Sequence, residues 1–285
     1  MKTHLATVFS VSILALMPAC SQEARHQLDV PFVPTPQKVV DAMLDMVDLQ
    51  DGDVVWDLGS GDGRMVITAA KRKDIRGVGV DLDPKRVEES RANAKEAGVE
   101  DCVTFRVADL FKTDFSDATV LTMYLLQSVN IKLRPVILND LQPGARIVSN
   151  SFTMGDWTPD ATQKTDVNSL SRTIYHWVVP ANISGVWDWE MADTKGSLTI
   201  DQQFQKFSGN ATIEGIKHEF KEGNIHGKEI AFVVTIPNRD QETYSATAEG
   251  ETMTGTIDGK TWQATRRADT RKPIDPNGLA TAGAR

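Results

Sequence analysis

The sequence is poor in cysteine: two occur in 285 residues, Cys20 and Cys102, too few for a disulfide scaffold. Stability must therefore come from packed cores. It also lacks any cluster of lysine and arginine on a predicted face, and its formal net charge is −8. That balance argues against a nucleic-acid duplex as substrate. Long apolar runs are missing too, with one exception. Leu5 to Met17 is predominantly apolar, yet it is too short to span a bilayer as a mature helix.

That run has the layout of an export signal. Lys2 supplies a positive start, and the segment ends in Leu16-Met17-Pro18-Ala19-Cys20, so residues 1–20 are expected to be a signal peptide and 21–29 a polar tether. The ending resembles a bacterial lipobox, with Met17 and Pro18 standing where the usual pattern favours Leu and a small residue. The resemblance implies a lipid on Cys20 and membrane association through it. With Ser21 next, it implies the periplasmic face of the outer membrane. Cys102 then has no partner within the chain.

Beyond the tether, Val30-Pro31-Phe32-Val33-Pro34-Thr35-Pro36 is extended by proline geometry. Thr35 is placed as an N-cap and Pro36 as the first helical residue. Val39, Val40, Met43, Leu44 and Val47 then recur at helical spacing. Strand and helix patterns alternate from there. Strands are predicted at 54–58, 77–82, 103–107, 118–124 and 146–152, and helices at 64–73, 83–98 and 130–141. A further strand, 173–179, is placed antiparallel at the sheet edge. Such alternation predicts an α/β fold, a parallel sheet with helices on both faces, over residues 30–180. After Pro180 helical periodicity disappears. Eight short alternating segments between Gly185 and Arg266, separated by turn signals such as Asp258-Gly259-Lys260, predict a small antiparallel β-barrel or sandwich over 183–268. Residues 269–285 are expected to be a disordered tail.

The chemistry concentrates in Val54-Val55-Trp56-Asp57-Leu58-Gly59-Ser60-Gly61-Asp62-Gly63-Arg64. A strand gives way to a helix through alternate glycines, so the chain can turn sharply and bring bare backbone to a ligand, with the helix N-terminal amides aimed at it. A dinucleotide fingerprint would need a third glycine where Arg64 stands, so that reading fails. The observed Asp-x-Gly-x-Gly-x-Gly resembles motif I of the class I, Rossmann-like methyltransferases, and the resemblance implies S-adenosylmethionine (SAM) as cofactor. Asp81 closes the second strand, where an acid can accept both ribose hydroxyls. Asp109 follows the third, where such enzymes hold the adenine amine. The predicted cofactor set is thus Asp57, Gly59, Ser60, Gly61, Gly63, Asp81 and Asp109; no metal site is assigned.

Phe32-Val33-Pro34-Thr35 ahead of motif I, and Met154-Gly155-Asp156-Trp157 after the fifth strand, resemble the bacterial relatives of the ATP-synthase c-subunit lysine methyltransferases. In that group the aromatic-Pro-Ser/Thr segment lies over the cofactor, which adds Thr35 and Phe32 to the site. Phe32 packing on the first helix is the alternative. The resemblance implies a protein lysine as methyl acceptor, with a small molecule as the other possibility. After the fourth strand the chain reads Met123-Tyr124-Leu125-Leu126, not the Asn/Asp-Pro-Pro-Tyr of amino-methylating nucleic-acid enzymes, which counts against a base as acceptor.

Methyl transfer from a sulfonium needs alignment and exclusion of water more than a base. A base is required only if the acceptor arrives protonated. Tyr124, Asp156 and His176 are the candidates, each with a structural role as its alternative, and no catalytic residue is assigned. SAM is made in the cytoplasm, which conflicts with an export signal; an exported lipoprotein with a degenerate cofactor domain and a β-domain that binds a lipid or envelope partner is the competing reading. In the second domain, Gly185-Val186-Trp187 and Trp262-Gln263-Ala264-Thr265-Arg266 resemble the opening and closing strands of lipocalin-like domains. Trp187 and Trp262 either plug the barrel core or line a ligand cavity. Nothing in these patterns specifies the oligomeric state.

Overall fold

The structure is a computed structural model that describes residues 32–234, 242–257 and 259–276. The expected signal peptide, Cys20 and the tether lie outside the described residues. The first domain comprises α1 (Gln37–Met46), β1 (Val54–Leu58), α2 (Arg64–Arg72), β2 (Arg76–Asp81), α3 (Pro84–Ala97), β3 (Val103–Val107), β4 (Val120–Met123), α4 (Gln127–Asp140), β5 (Arg146–Asn150), β6 (Ala161–Val167) and β7 (Leu170–Val178). Its strands form one sheet in the order β3-β2-β1-β4-β5-β7-β6. β1 to β5 run parallel, and β7 and β6 are antiparallel additions.

Alternate residues of each strand feed opposite faces, as the pleat requires. Val55, Val120, Val148 and Ile174 pack against α1 and α2. Trp56, Leu58, Leu121, Met123 and Ile147 pack against α4. α3 closes over α2 and β3 through Val87, Ala94 and Phe105. Its start follows from sequence: Asp83 accepts the Lys85 amide at 2.9 Å and proline follows at once.

The structure departs from expectation at two places in this domain. The 173–179 strand is not at the edge: β7 is longer, lies between β5 and β6, and gives the edge to β6. β6 is exposed along most of its length, with Thr165 its one buried residue, so it carries no apolar alternation to read. Pro36, with ψ 143°, occupies the N-cap position of α1 and makes no side-chain cap bond. Thr35 therefore lies before the helix and is free for another role.

The second domain is a closed barrel, not a sandwich. Its strands are β8 (Gly185–Met191), β9 (Thr194–Gln203), β10 (Lys206–Ile213), β11 (Ile216–His226), β12 (Glu229–Val234), β13 (Glu242–Glu249), β14 (Thr252–Ile257) and β15 (Lys260–Arg266). β15 pairs back onto β8, from Gln263–Glu190 to Arg266–Trp187, which removes both sheet edges. Side chains fill the interior. Phe220 lies 5.9 Å from Phe207 and 5.0 Å from Phe232, centroid to centroid. Trp187 and Trp262 are buried there, as core plugs would be. Trp187 donates to the Ile183 carbonyl at 2.8 Å, and the Arg266 guanidinium covers its ring at 4.4 Å.

The two domains share a core. Phe204, in the β9–β10 turn, stacks on Trp157 of the first domain at 5.7 Å and 11°. The Arg134 guanidinium of α4 lies 5.5 Å from the same Phe204 ring. Gln205 donates to the Thr158 carbonyl at 2.7 Å, and Ala181 to the Gly227 carbonyl at 2.7 Å. Asp269 to Pro276 departs from the expectation of a disordered tail. Thr270 and Lys272 hydrogen-bond the start of β8 and the linker, and Ile274 is buried with Trp157 and Trp177. Only α4 among the described helices covers that face of the sheet; the barrel and Ile274 complete it.

Candidate functional site: a cofactor cleft at the carboxyl edge of the sheet

The cleft opens at the ends of β1, β2, β3 and β4, and encloses about 1070 Å³ of space, part of it open to solvent. This is where a parallel sheet with crossover helices gathers its loops, and hence its ligands. β1 ends at Leu58, and Gly59 and Ser60 turn the chain by donating both their amides to the Val80 carbonyl, each at 2.9 Å. Gly61 donates to Asp81 Oδ2 at 2.9 Å, and Asp81 Oδ1 accepts the Asp83 amide at 2.9 Å. Each carboxylate oxygen thus accepts one backbone N–H and keeps a lone pair, so Asp81 is oriented to take a pair of vicinal hydroxyls.

Of the predicted cofactor residues, Asp57, Gly59, Ser60, Gly61, Asp81, Asp109 and Thr35 line one cleft. Gly63 does not. It takes φ +80° as the N-cap of α2, and a Cβ there would lie 2.7 Å from the Phe105 ring and 2.8 Å from Ser90. Its glycine requirement belongs to helix packing. Gly61 is the residue that keeps the cleft open: at φ +53°, a Cβ would stand 2.3 Å from Phe32 Cε2. Phe32 therefore lies across motif I, with the Arg86 guanidinium 4.3 Å from its ring centroid.

Two amides at the turn into α2 are satisfied locally. Gly63 donates to Ser60 O at 2.9 Å, and Arg64 N to Asp62 Oδ1 at 3.4 Å. The side chains that face the cleft are rich in acid. Five aspartates (57, 62, 81, 83 and 109) line it against two arginines, 64 and 86. That suits a cationic ligand, not a phosphate.

Asp57 is the strongest case. It is buried and accepts from Thr122 Oγ1 at 2.7 Å. Burial raises its pKa to about 7; the Thr122 hydrogen bond counters this, and the charges of Asp81 and Asp62 add to the rise. A ligand cation alongside would let it ionise. Burial would also raise Asp62, but the hydrogen bonds and charge of Arg64 prevail and hold it below the usual carboxylate range. Arg64 has no place in the predicted set, although it follows the last motif glycine directly. It pairs with Asp62 and donates to the Thr35 carbonyl at 2.7 Å, tying the N-terminal segment to the loop. Asp109 accepts the Phe111 amide at 3.0 Å and faces Lys112 Nζ at 3.1 Å.

The three base candidates separate. Tyr124 lines the cleft; its ring stacks on Phe152 at 6.2 Å, and Arg172 donates to its hydroxyl at 3.3 Å. Asp156 is outside the lining and pairs with the buried Arg134. His176, on β7 opposite Val148, also lies outside it; burial lowers its pKa, and its charged surroundings are Asp160, His226 and Arg146. Nearness along the chain groups Asp156 and His176 with the site, and sheet topology does not respect that nearness.

The cleft fits SAM on its own terms. Ser60 Oγ is buried in its wall without a hydrogen-bond partner, Gly61 leaves the space a Cβ would fill, and Asp81 offers paired acceptors. Residues 57–161 match the model of the ANTKMT methyltransferase domain. A crystal structure of an RNA methyltransferase from Salinibacter ruber, in complex with S-adenosyl-L-homocysteine, is 53% identical with a TM-score of 0.50. It covers 53% of this chain and 96% of that one. An adenine nucleotide translocase lysine N-methyltransferase of Mus musculus is 32% identical over 54% of this chain and 66% of its own length. A protein-lysine N-methyltransferase of Saccharolobus islandicus is 40% identical over 151 residues, 53% of this chain and 94% of that protein. An intact SAM cleft on a sheet of this order, and a match running nearly the length of that relative, make this chain a SAM-dependent methyltransferase of the protein-lysine N-methyltransferase family.

Proposed function

We propose that the chain transfers the methyl group of SAM to the ε-amine of a lysine in a protein. The supporting observation is the part of the cleft wall built by the end of β4 and the residues after it. Met123, Leu125 and Val129 present apolar surface there, with Tyr124 the polar group among them. Four methylenes ending in an amine match such a wall: the stem packs and the tip stays polar. A flipped base would call for hydrogen bonds to its edge, and no amide follows Met123 before Gln127. SAM supplies an activated methyl group, and the protein supplies alignment and a water-poor cleft. Asp57 and Asp81 fix the cofactor, and the β4 wall directs the acceptor.

The relative named an RNA methyltransferase motivates a second reading, an RNA acceptor. Incubating the purified chain with methyl-labelled SAM and separated protein and RNA fractions decides between them. Label in protein, released as methyl-lysine on acid hydrolysis, is the expected result; label confined to RNA would overturn it.

The N-terminal segment adds the proposal that the enzyme is exported and anchored by a lipid on Cys20. Lys2, the apolar run to Met17 and Ala19-Cys20 support it. Metabolic labelling with a fatty acid should mark the wild type and not Cys20→Ser; equal labelling would refute it.

A further inference from the structure

We infer that Arg172 is a positioning residue for the acceptor: a fixed cation, held through Tyr124, that favours the neutral amine of the incoming lysine and takes the place of a general base. The inference rests on the lysine reading above.

On the acceptor side of the cleft, Tyr124 is the titratable group among Met123, Leu125 and Val129. The remaining candidate bases are elsewhere: Asp156 is tied to Arg134, and His176 lies outside the lining. Arg172 reaches this wall from β7. It donates through Nη1 to Tyr124 Oη at 3.3 Å, and no carboxylate lies within ion-pair distance of it among the described residues. The Tyr124 ring is itself fixed by stacking on Phe152. The neighbouring charges are accounted for. In the β6–β7 pairing, Thr165 stands opposite Arg172 and Asp166 opposite Ser171. Lys38 donates to the Asp166 carbonyl at 3.0 Å, Asp57 is bonded to Thr122, and Arg64 is bonded to Asp62. What remains beside Tyr124 is a guanidinium without a counter-charge.

A cation near an amine site disfavours the ammonium form. The lysine then loses its proton to water at the mouth of the cleft and arrives with its lone pair available. That pair forms the N–C bond to the methyl carbon as the C–S bond breaks and its electrons return to sulfur. The methylated nitrogen then gives its extra proton to water. Arg172 also occupies one acceptor position of Tyr124 Oη, which leaves a second for an amine hydrogen.

The test uses the full chain and a short lysine peptide, acetylated and amidated so that its side chain is the one titrating amine. Arg172→Gln should move the acid limb of kcat, which reports the bound amine, upward by about one pH unit, with the affinity for S-adenosyl-L-homocysteine unchanged. Arg172→Lys should keep the limb within a few tenths of a unit. By calorimetry on protein saturated with S-adenosyl-L-homocysteine, peptide affinity should rise with pH in the wild type and lose that rise in Arg172→Gln. If Arg172→Gln does not fold, Tyr124→Phe, which releases the guanidinium, should shift the limb the same way by less. An unmoved limb with intact cofactor binding would overturn this inference alone. Failure of the wild type to methylate lysine in the peptide or in any cellular protein would overturn the lysine reading and this one together.

Discussion

The two halves of the molecule use their strands in opposite ways. In the first domain the strand ends are the working part: the sheet stops, loops turn back, and Asp57, Asp81 and Asp109 collect around a cleft. In the barrel nothing is left open, because β15 closes onto β8 and aromatic rings fill the inside. One domain keeps costly features, such as a buried acid and a buried hydroxyl without a partner. The other is organised for packing. A buried acid facing an open cleft marks the place of chemistry, and a closed interior filled by rings marks scaffold.

That contrast can be broken by substitution. The largest effect belongs to the scaffold: Trp187→Ala should lower stability by about 3–5 kcal/mol, by denaturant titration, while the protein that remains folded binds S-adenosyl-L-homocysteine with unchanged affinity. Loss of affinity in that folded fraction would mean the barrel shapes the cleft. Asp81→Ala should do the reverse. It removes the paired acceptors and the partners of the Gly61 and Asp83 amides, so cofactor affinity should fall on the order of 100-fold with a smaller change in stability.

Asp57 sharpens the comparison through pH. Its carboxyl titrates at about 7 in the fold against 3.8 for a free aspartate. The fold therefore binds the proton more tightly than the unfolded chain does. Its contribution to stability is complete below about 3.8 and is lost as pH rises through about 7. A cationic ligand favours the ionised form, so affinity for SAM, whose sulfonium is a cation, should climb between about pH 6 and 8, by up to about tenfold per unit. Asp57→Asn should flatten that slope, and an unchanged slope would show that another group titrates. The smallest effect is expected at Lys112, whose pair with Asp109 is largely exposed. Lys112→Ala should change stability by less than about 1 kcal/mol.

How much of this is legible in sequence depends on whether a residue's role is local. β1 and β3 can be read with their observed bounds, because short apolar strands between turn signals carry their own boundaries. Asp57, Gly61 and Asp81 can be read together since the strand–turn–helix unit fixes them relative to one another. Gly63 misleads because a glycine needed for packing on Phe105 looks the same in sequence as one needed for a ligand. β6 escapes for want of an apolar face. Arg172 is invisible for another reason: its meaning comes from the antiparallel return of β7 beside β5, a pairing between distant segments that no local pattern announces.

The burial of Ile274 beside Trp157 and Trp177 sets an order on events. A chain emerging from the ribosome can form the β1–β2 cofactor loop early, yet the α4 side of that same domain waits for Phe204 and then for residue 274. Long-range closure of this kind slows folding and leaves apolar surface uncovered in the interval. A polypeptide cut anywhere after the barrel but before Ile274 would keep every cofactor residue and still present two tryptophans to passing chaperones and proteases. The late segment thus seals the first domain only after the whole barrel has been made.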